Sequence, residues 1–231
     1  MSRRFRLSRS TSAAAVVLLI TAGLAVRAQQ PAVADSDRWE ATIKQFEEQD
    51  RRNPPPKGEI VFTGASSIVR WNLPESFPDL KVINRGFGGS EMADAARYAP
   101  RIVVPYSPRI VVLYEGDNDI GRGVAPENVE TEFERFVQIV HGALPRTRIV
   151  VIAVKPSILR WAVYDDMKRA NALMRAYIDA RKGLDYVEVG PPMLGKDGKP
   201  RPELFVQDGL HLTPEGYKLW TALLRPRLTE H

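Results

Sequence analysis

The chain has 231 residues, 44% of them hydrophobic, with 33 Lys plus Arg against 28 Asp plus Glu and no cysteine. That is an ordinary globular composition, so a fibrous or broadly disordered chain is excluded, as are disulfides and a cysteine-linked lipid anchor. The net charge of +5 hints at a polyanion-binding surface, but five arginines fall within residues 1–28, which hold no acid, and the other 28 basic residues match the 28 acidic ones. No nucleic-acid partner is therefore implied.

In chain order, Arg3, Arg4, Arg6 and Arg9 precede an uncharged run from Ser10 to Val26. The run is short against the roughly 20 apolar residues a bilayer span needs. A basic start, a short apolar stretch and small residues at Val26-Arg27-Ala28 predict a secretory signal over 1–28, cut after Ala28, with Ala32-Val33-Ala34 as a second possible site. The expected product is exported, periplasmic or secreted, with no stable membrane span after cleavage. Residues 29–57 form a polar extension in which Trp39, Ile43 and Phe46 recur at helical spacing between Trp39 and Gln49, until Asn53-Pro54-Pro55-Pro56 stops any helix.

From residue 58 to 231 the pattern is that of one domain. Short β-branched runs (59–63, 81–84, 109–114, 148–154 and 185–189) alternate with amphipathic stretches at 91–103, 127–143 and 164–182. A last helix is expected from Thr213-Pro214 to about Leu224, with Thr213 as its cap. This alternation predicts a three-layer α/β/α fold, a flavodoxin-like doubly wound sheet of five parallel strands. In such sheets ligands bind beyond the carboxyl ends of the strands, so the loops after the strands carry the chemistry.

Those loops are Gly64-Ala65-Ser66-Ser67, Asn84-Arg85-Gly86-Phe87-Gly88-Gly89-Ser90 and Glu115-Gly116-Asp117-Asn118-Asp119, joined by Asp208-Gly209-Leu210-His211 ahead of the last helix. The glycine loop is no dinucleotide fingerprint, since Glu91 stands where the third glycine belongs, and no GK[ST] follows it. The acidic cluster at 115–119 lacks the ligand run and distal glutamate of a calcium loop, so no metal is expected. His141 lies within a helical pattern, whereas His211 follows Asp208 by three residues in a turn, where the carboxylate can hold the imidazole.

Taken together, Gly64-Ala65-Ser66, Gly89 in NRGFGG, Asn118 in GDND and Asp208-x-x-His211 resemble the four blocks of the SGNH, or GDSL, hydrolases, in order and spacing over roughly residues 58–226. Lys155-Pro156-Ser157 with Arg160-Trp161 looks most like the branch that contains the platelet-activating-factor acetylhydrolase catalytic subunits and several bacterial esterases. The resemblance implies the SGNH hydrolase fold and a serine esterase working through an acyl-serine intermediate, with no cofactor. It implies Ser66 as nucleophile and an oxyanion hole from the Ser66 N–H, the Gly89 N–H and the Asn118 side-chain amide. A serine hydroxyl needs an adjacent base, for which His211 is the candidate, and Asp208 would fix its tautomer.

Ser66 rather than Ser67 fits the family position, and Ser67 is expected to cap the helix that follows. Phe87 and Trp161 are candidate pocket residues. One departure is Ala65, where the family usually has Asp. That residue is not nucleophile, base or oxyanion donor, so the mechanism stays open. It also keeps a second possibility in view, an exported, non-catalytic carbohydrate-binding protein on the same fold. A small-molecule or glycan ester, with a short acyl or acetyl group, is the expected substrate class. The oligomeric state is not legible.

Overall fold

The computed structural model describes Met1 and residues 38–229. The signal reading for 1–28, both cleavage sites, the start of the extension and His231 lie outside the described residues. No helix among the described residues is long and apolar enough to cross a membrane.

Five parallel strands form one sheet: β1 (Ile60–Gly64), β2 (Val82–Gly86), β3 (Ile110–Tyr114), β4 (Arg148–Ile152) and β5 (Leu184–Val187), in the order β2-β1-β3-β4-β5. This is the doubly wound order in which the chain reverses direction between β1 and β3. Both of those strands are buried at every position, which is why their sequences, IVFTG and IVVLY, read as unbroken apolar runs. Gly64 ends β1 where a side chain has no room: a Cβ there would lie 2.0 Å from the Tyr114 carbonyl oxygen on β3. The two strand ends therefore close together at the switch point.

Three long helices, α4 (Met92–Ile102), α6 (Pro126–Ala143) and α7 (Tyr164–Asp179), pack side by side, and α1 (Glu40–Arg52) lies against α4. Ile43 of α1 is fully buried, so the end of the polar extension belongs to the core packing. On the other side, α2 (Ser66–Val69) and α3 (Leu73–Ser76) follow β1, and α3 meets α8 (Pro214–Thr229). One further short helix, α5 (Asp117–Gly121), opens directly after β3.

Some predicted boundaries shift for identifiable reasons. β2 runs on to Gly86, whereas the fourth strand stops at Ile152 rather than Val154. There the Asn171 side-chain amide accepts the Val154 N–H at 2.8 Å and donates to its carbonyl at 2.9 Å, replacing ladder partners. α8 continues past Leu224 and through Pro226, which sits in its last turn and forgoes the N–H bond back to the Ala222 carbonyl. Thr213 does cap it, accepting the Gly216 N–H at 3.2 Å.

Candidate active site

The three loops that follow β1, β2 and β3 leave the same, carboxyl edge of the parallel sheet. Ser66 is the first residue of α2, with Ala65 in extended conformation before it. The Ala65 side chain is fully buried and its N–H donates to the Tyr114 carbonyl at 3.1 Å. Ser67 does not cap α2 as expected. It is the second residue of that helix, the cap position is Ala65, and no side-chain cap bond is made, because the chain turns helical one residue too early. The Ser67 carbonyl instead accepts the Tyr217 hydroxyl of α8 at 2.9 Å, tying α2 to the last helix.

His211 is delivered from far along the chain by a small hairpin in which Phe205 pairs with Leu212 and the Val206 N–H donates to the His211 carbonyl at 2.9 Å. The turn locks itself. Asp208 Oδ1 accepts the N–H groups of Leu210 and His211, both at 2.9 Å, which leaves Oδ2 facing the imidazole. His211 Nδ1 lies 2.6 Å from that oxygen, and Nε2 lies 2.9 Å from Ser66 Oγ. With the Nδ1 proton directed at the carboxylate, Nε2 is left to accept the serine hydroxyl proton. The hydrogen bond from His211, then those from the two N–H groups, hold the Asp208 carboxyl well below the ordinary carboxylate range, outweighing its slight desolvation.

The other two loops meet beside Ser66. Gly89 adopts φ +83°, a left-handed conformation that favours glycine. A Cβ on its neighbour Gly88 would sit 3.8 Å from Ser66 Cβ, so this peptide runs past the serine. The Gly89 carbonyl accepts from Arg38 Nη2 at 2.7 Å and Arg122 Nη2 at 3.2 Å, while its N–H has no partner among the described residues. Asn118, buried on α5, donates through Nδ2 to the Ser90 carbonyl at 2.9 Å and accepts at Oδ1 from Arg160 Nη2 at 2.8 Å. Asn118 is thus joined to the residue after Gly89.

Residues 61–219 match the model of the GDSL-like lipase/acylhydrolase family. The chain belongs to this family. As a GDSL-family enzyme it also aligns with solved structures. A GDSL-like lipase from Bacteroides thetaiotaomicron superposes with a TM-score of 0.71 at 22% identity, over 81% of this chain and 97% of that one. An acetyl xylan esterase gives 0.62 at 17% identity, over 73% and 98%. A carbohydrate esterase family 3 structure from Talaromyces cellulolyticus gives 0.59 at 16%, over 74% and 96%. At these identities the likeness shows the shared fold. No curated protein matches the chain.

The three acids of the loop Glu115–Asp119 go separate ways in this GDSL protein. Asp117 is buried, which raises its carboxyl, but Lys155 at 3.0 Å and Arg160 at 3.2 Å outweigh burial and hold it below the ordinary range. Burial, then the Asp119 charge, pushes Glu115 well up, and its Oε1 accepts the Ser90 hydroxyl. Burial pushes Asp119 up to about 7 although it accepts the Met92 N–H at the start of α4. The group behind Asn118, buried Tyr114, Lys155 and Asp117 with half-buried Arg160, is not legible in the sequence as a unit. Its sequence signals are the lysine that follows an apolar strand run and the Lys155-Pro156-Ser157 and Arg160-Trp161 pattern, neither of which points to the aspartate 38 residues earlier in the chain.

The expected aromatic lining does not hold for Phe87. It is 1% exposed and sits edge-on to Trp39 and Tyr98, because the chain turns it inward beneath the glycine loop. Trp161 stacks on Tyr164 at 4.9 Å with Lys199 over its ring, and none of its ring contacts among the described residues is with Ser66, His211 or Asp208. The surface beside Asp208 is instead an open groove of about 590 Å³ that runs along Gly209, bordered by the exposed Ile158, Leu159 and Val206. His141, on α6, faces the Thr147 carbonyl at 3.0 Å, a local structural contact.

Proposed function

We propose that this protein is a serine esterase that hydrolyses short-acyl or acetyl esters in two steps through an acyl-Ser66 intermediate. The observation that carries the reading is the continuous line Asp208–His211–Ser66, at 2.6 and 2.9 Å. A hydroxyl in that position can pass its proton to Nε2 as it attacks an ester carbonyl, and the same proton can then go to the leaving alcohol. The negative charge that develops on the carbonyl oxygen is met by the N–H groups of Ser66 and Gly89 and by the Asn118 amide. These donors cost no reorganisation as the reaction proceeds. Hydrolysis of the acyl-serine repeats the cycle with water in the alcohol's place.

The alcohol leaves from the His211 side, where the surface opens along Asp208. That openness supports a bulky alcohol, and a sugar hydroxyl bearing an acetyl group fits it. Fold neighbours include structures described as an acetyl xylan esterase and a carbohydrate esterase, which favours the same class. Export directed by the N-terminal segment would place the enzyme where extracellular or cell-wall glycans are met.

The test is hydrolysis of p-nitrophenyl esters of increasing acyl length, alongside acetylated sugars. Acetyl and other short esters should be cleaved fastest, and Ser66→Ala and His211→Ala should each abolish turnover while leaving the melting curve in place. Wild-type rates from purified Ser66→Ala would overturn the mechanism. A protein that binds acetylated sugars without cleaving any ester would instead be the carbohydrate-binding alternative.

A further inference from the structure

We propose that Arg160 is a positioning residue that sets which end of the Asn118 amide faces the reacting ester, and that the buried Lys155–Asp117 pair holds Arg160 in place to do so. The proposal rests on the reading of Asn118 as an oxyanion donor.

A primary amide has nearly the same shape after a half-turn about its last bond, but the turn exchanges two N–H donors for an acceptor oxygen. An asparagine that must donate to an oxyanion therefore needs neighbours that choose its orientation. Asn118 has two, and they agree. The Ser90 carbonyl can only accept, and takes one Nδ2 hydrogen at 2.9 Å. The Arg160 guanidinium can only donate, and claims Oδ1 at 2.8 Å. A flipped amide would set oxygen against oxygen and N–H against N–H, losing both contacts at a site only 7% exposed. The second Nδ2 hydrogen has no acceptor among the described residues and is left for the substrate. A cation on the amide oxygen also draws electron density from the nitrogen, which makes that hydrogen a better donor.

Arg160 is itself held from three directions. Its Nη1 lies 3.2 Å from Asp117 Oδ2. The same oxygen receives Lys155 Nζ at 3.0 Å, and that ammonium, 1% exposed, also donates to the Tyr114 hydroxyl at 3.1 Å. Gly121, at the end of α5, leaves the floor clear, since a Cβ there would lie 2.6 Å from Arg160 Nε and 3.0 Å from Cζ. The Arg160 N–H donates to Ser157 Oγ at 3.3 Å, fixing the loop from which the side chain departs. Asp117 alone needs only one counter-charge. The second cation leaves the trio of Lys155, Asp117 and Arg160 net positive directly behind the amide, an arrangement that favours developing negative charge in front of it.

Steady-state kinetics on p-nitrophenyl acetate and thermal melts of Arg160→Met, Arg160→Lys, Asn118→Ala and the double variant Arg160→Met/Asn118→Ala test this. Arg160→Met should lower kcat about tenfold, less than the loss of about 10²–10³ for an oxyanion donor itself, with KM within about twofold. In the Asn118→Ala background the same substitution should change kcat no further. Arg160→Lys, which keeps the charge and one donor, should recover part of the loss, and it supplies the measurement if Arg160→Met does not fold. An equal kcat loss with and without Asn118, or a lowered melting temperature with kcat unchanged, would overturn the positioning role. Full activity of Asn118→Ala would instead overturn the oxyanion reading beneath it.

Discussion

The two loops that carry the candidate oxyanion donors are held by opposite means. The Gly89 loop is gripped from outside. Its carbonyl receives Arg38 and Arg122, whose side chains are 38% and 44% exposed, and Arg122 also pairs with Glu91. Asn118 is gripped from inside, by a guanidinium anchored on a buried lysine–aspartate pair. An exposed ion pair competes with water and salt and contributes little. A buried pair contributes little net stability when complete, but removing one member strands a charge. The outer grip is therefore adjustable, and the inner one can be altered only as a unit.

The largest effect expected from breaking this contrast belongs to Lys155→Met. Asp117 would keep Arg160 but lose its buried ammonium, and stability should fall by about 3 kcal/mol, the low end for a broken buried pair. Urea denaturation measures it, and a loss under about 1 kcal/mol would mean that water reaches Asp117 and the inner grip is not dry.

Asp119 sharpens the comparison because it joins the two regions, reaching from α5 to the Met92 N–H that opens α4 after the glycine loop. Its carboxyl is raised by burial from an ordinary 3.8 to about 7. In the unfolded chain it releases its proton near pH 4, and in the fold only near 7. Its contribution to stability is thus present below about pH 4 and lost as the pH rises to about 7. Asp119→Asn removes that dependence, so the variant should gain stability relative to the parent as the pH goes from 4 to 8. A difference constant over that range in thermal melts would contradict the assignment.

The smallest effect belongs to Arg38→Ala, on the outer grip. Stability should change by about 1 kcal/mol or less, and kcat/KM on a short ester by only a few-fold. The difference should shrink in high salt. A loss as large as that of Asn118→Ala would erase the contrast between the two regions.

Much of this architecture is legible in the sequence. The buried strands announced themselves as β-branched runs, and the D-x-x-H turn was readable because Asp208 and His211 are close in the chain. What stayed hidden is short or distant. α2, α3 and α5 span too few residues for a helical period to register. The glycine loop disclosed its backbone role but not that Phe87 within it points into the core. The acids at 115–119 read by themselves as a question of metal ligation, whereas the partners that explain Asp117 lie 38 and 43 positions on, at Lys155 and Arg160. Arg38 and Trp39 gave no sign that the extension's end would reach the Gly89 loop, since nothing local in a sequence encodes a contact across 50 residues.

The account turns on Ser66 being made reactive by His211. Reaction with a fluorophosphonate, followed by intact mass and peptide mapping, tests this most directly. A single adduct on Ser66, absent in Ser66→Ala and formed far more slowly in His211→Ala, is the predicted result. An adduct on Ser67, or no adduct on a folded and esterase-active protein, would contradict it.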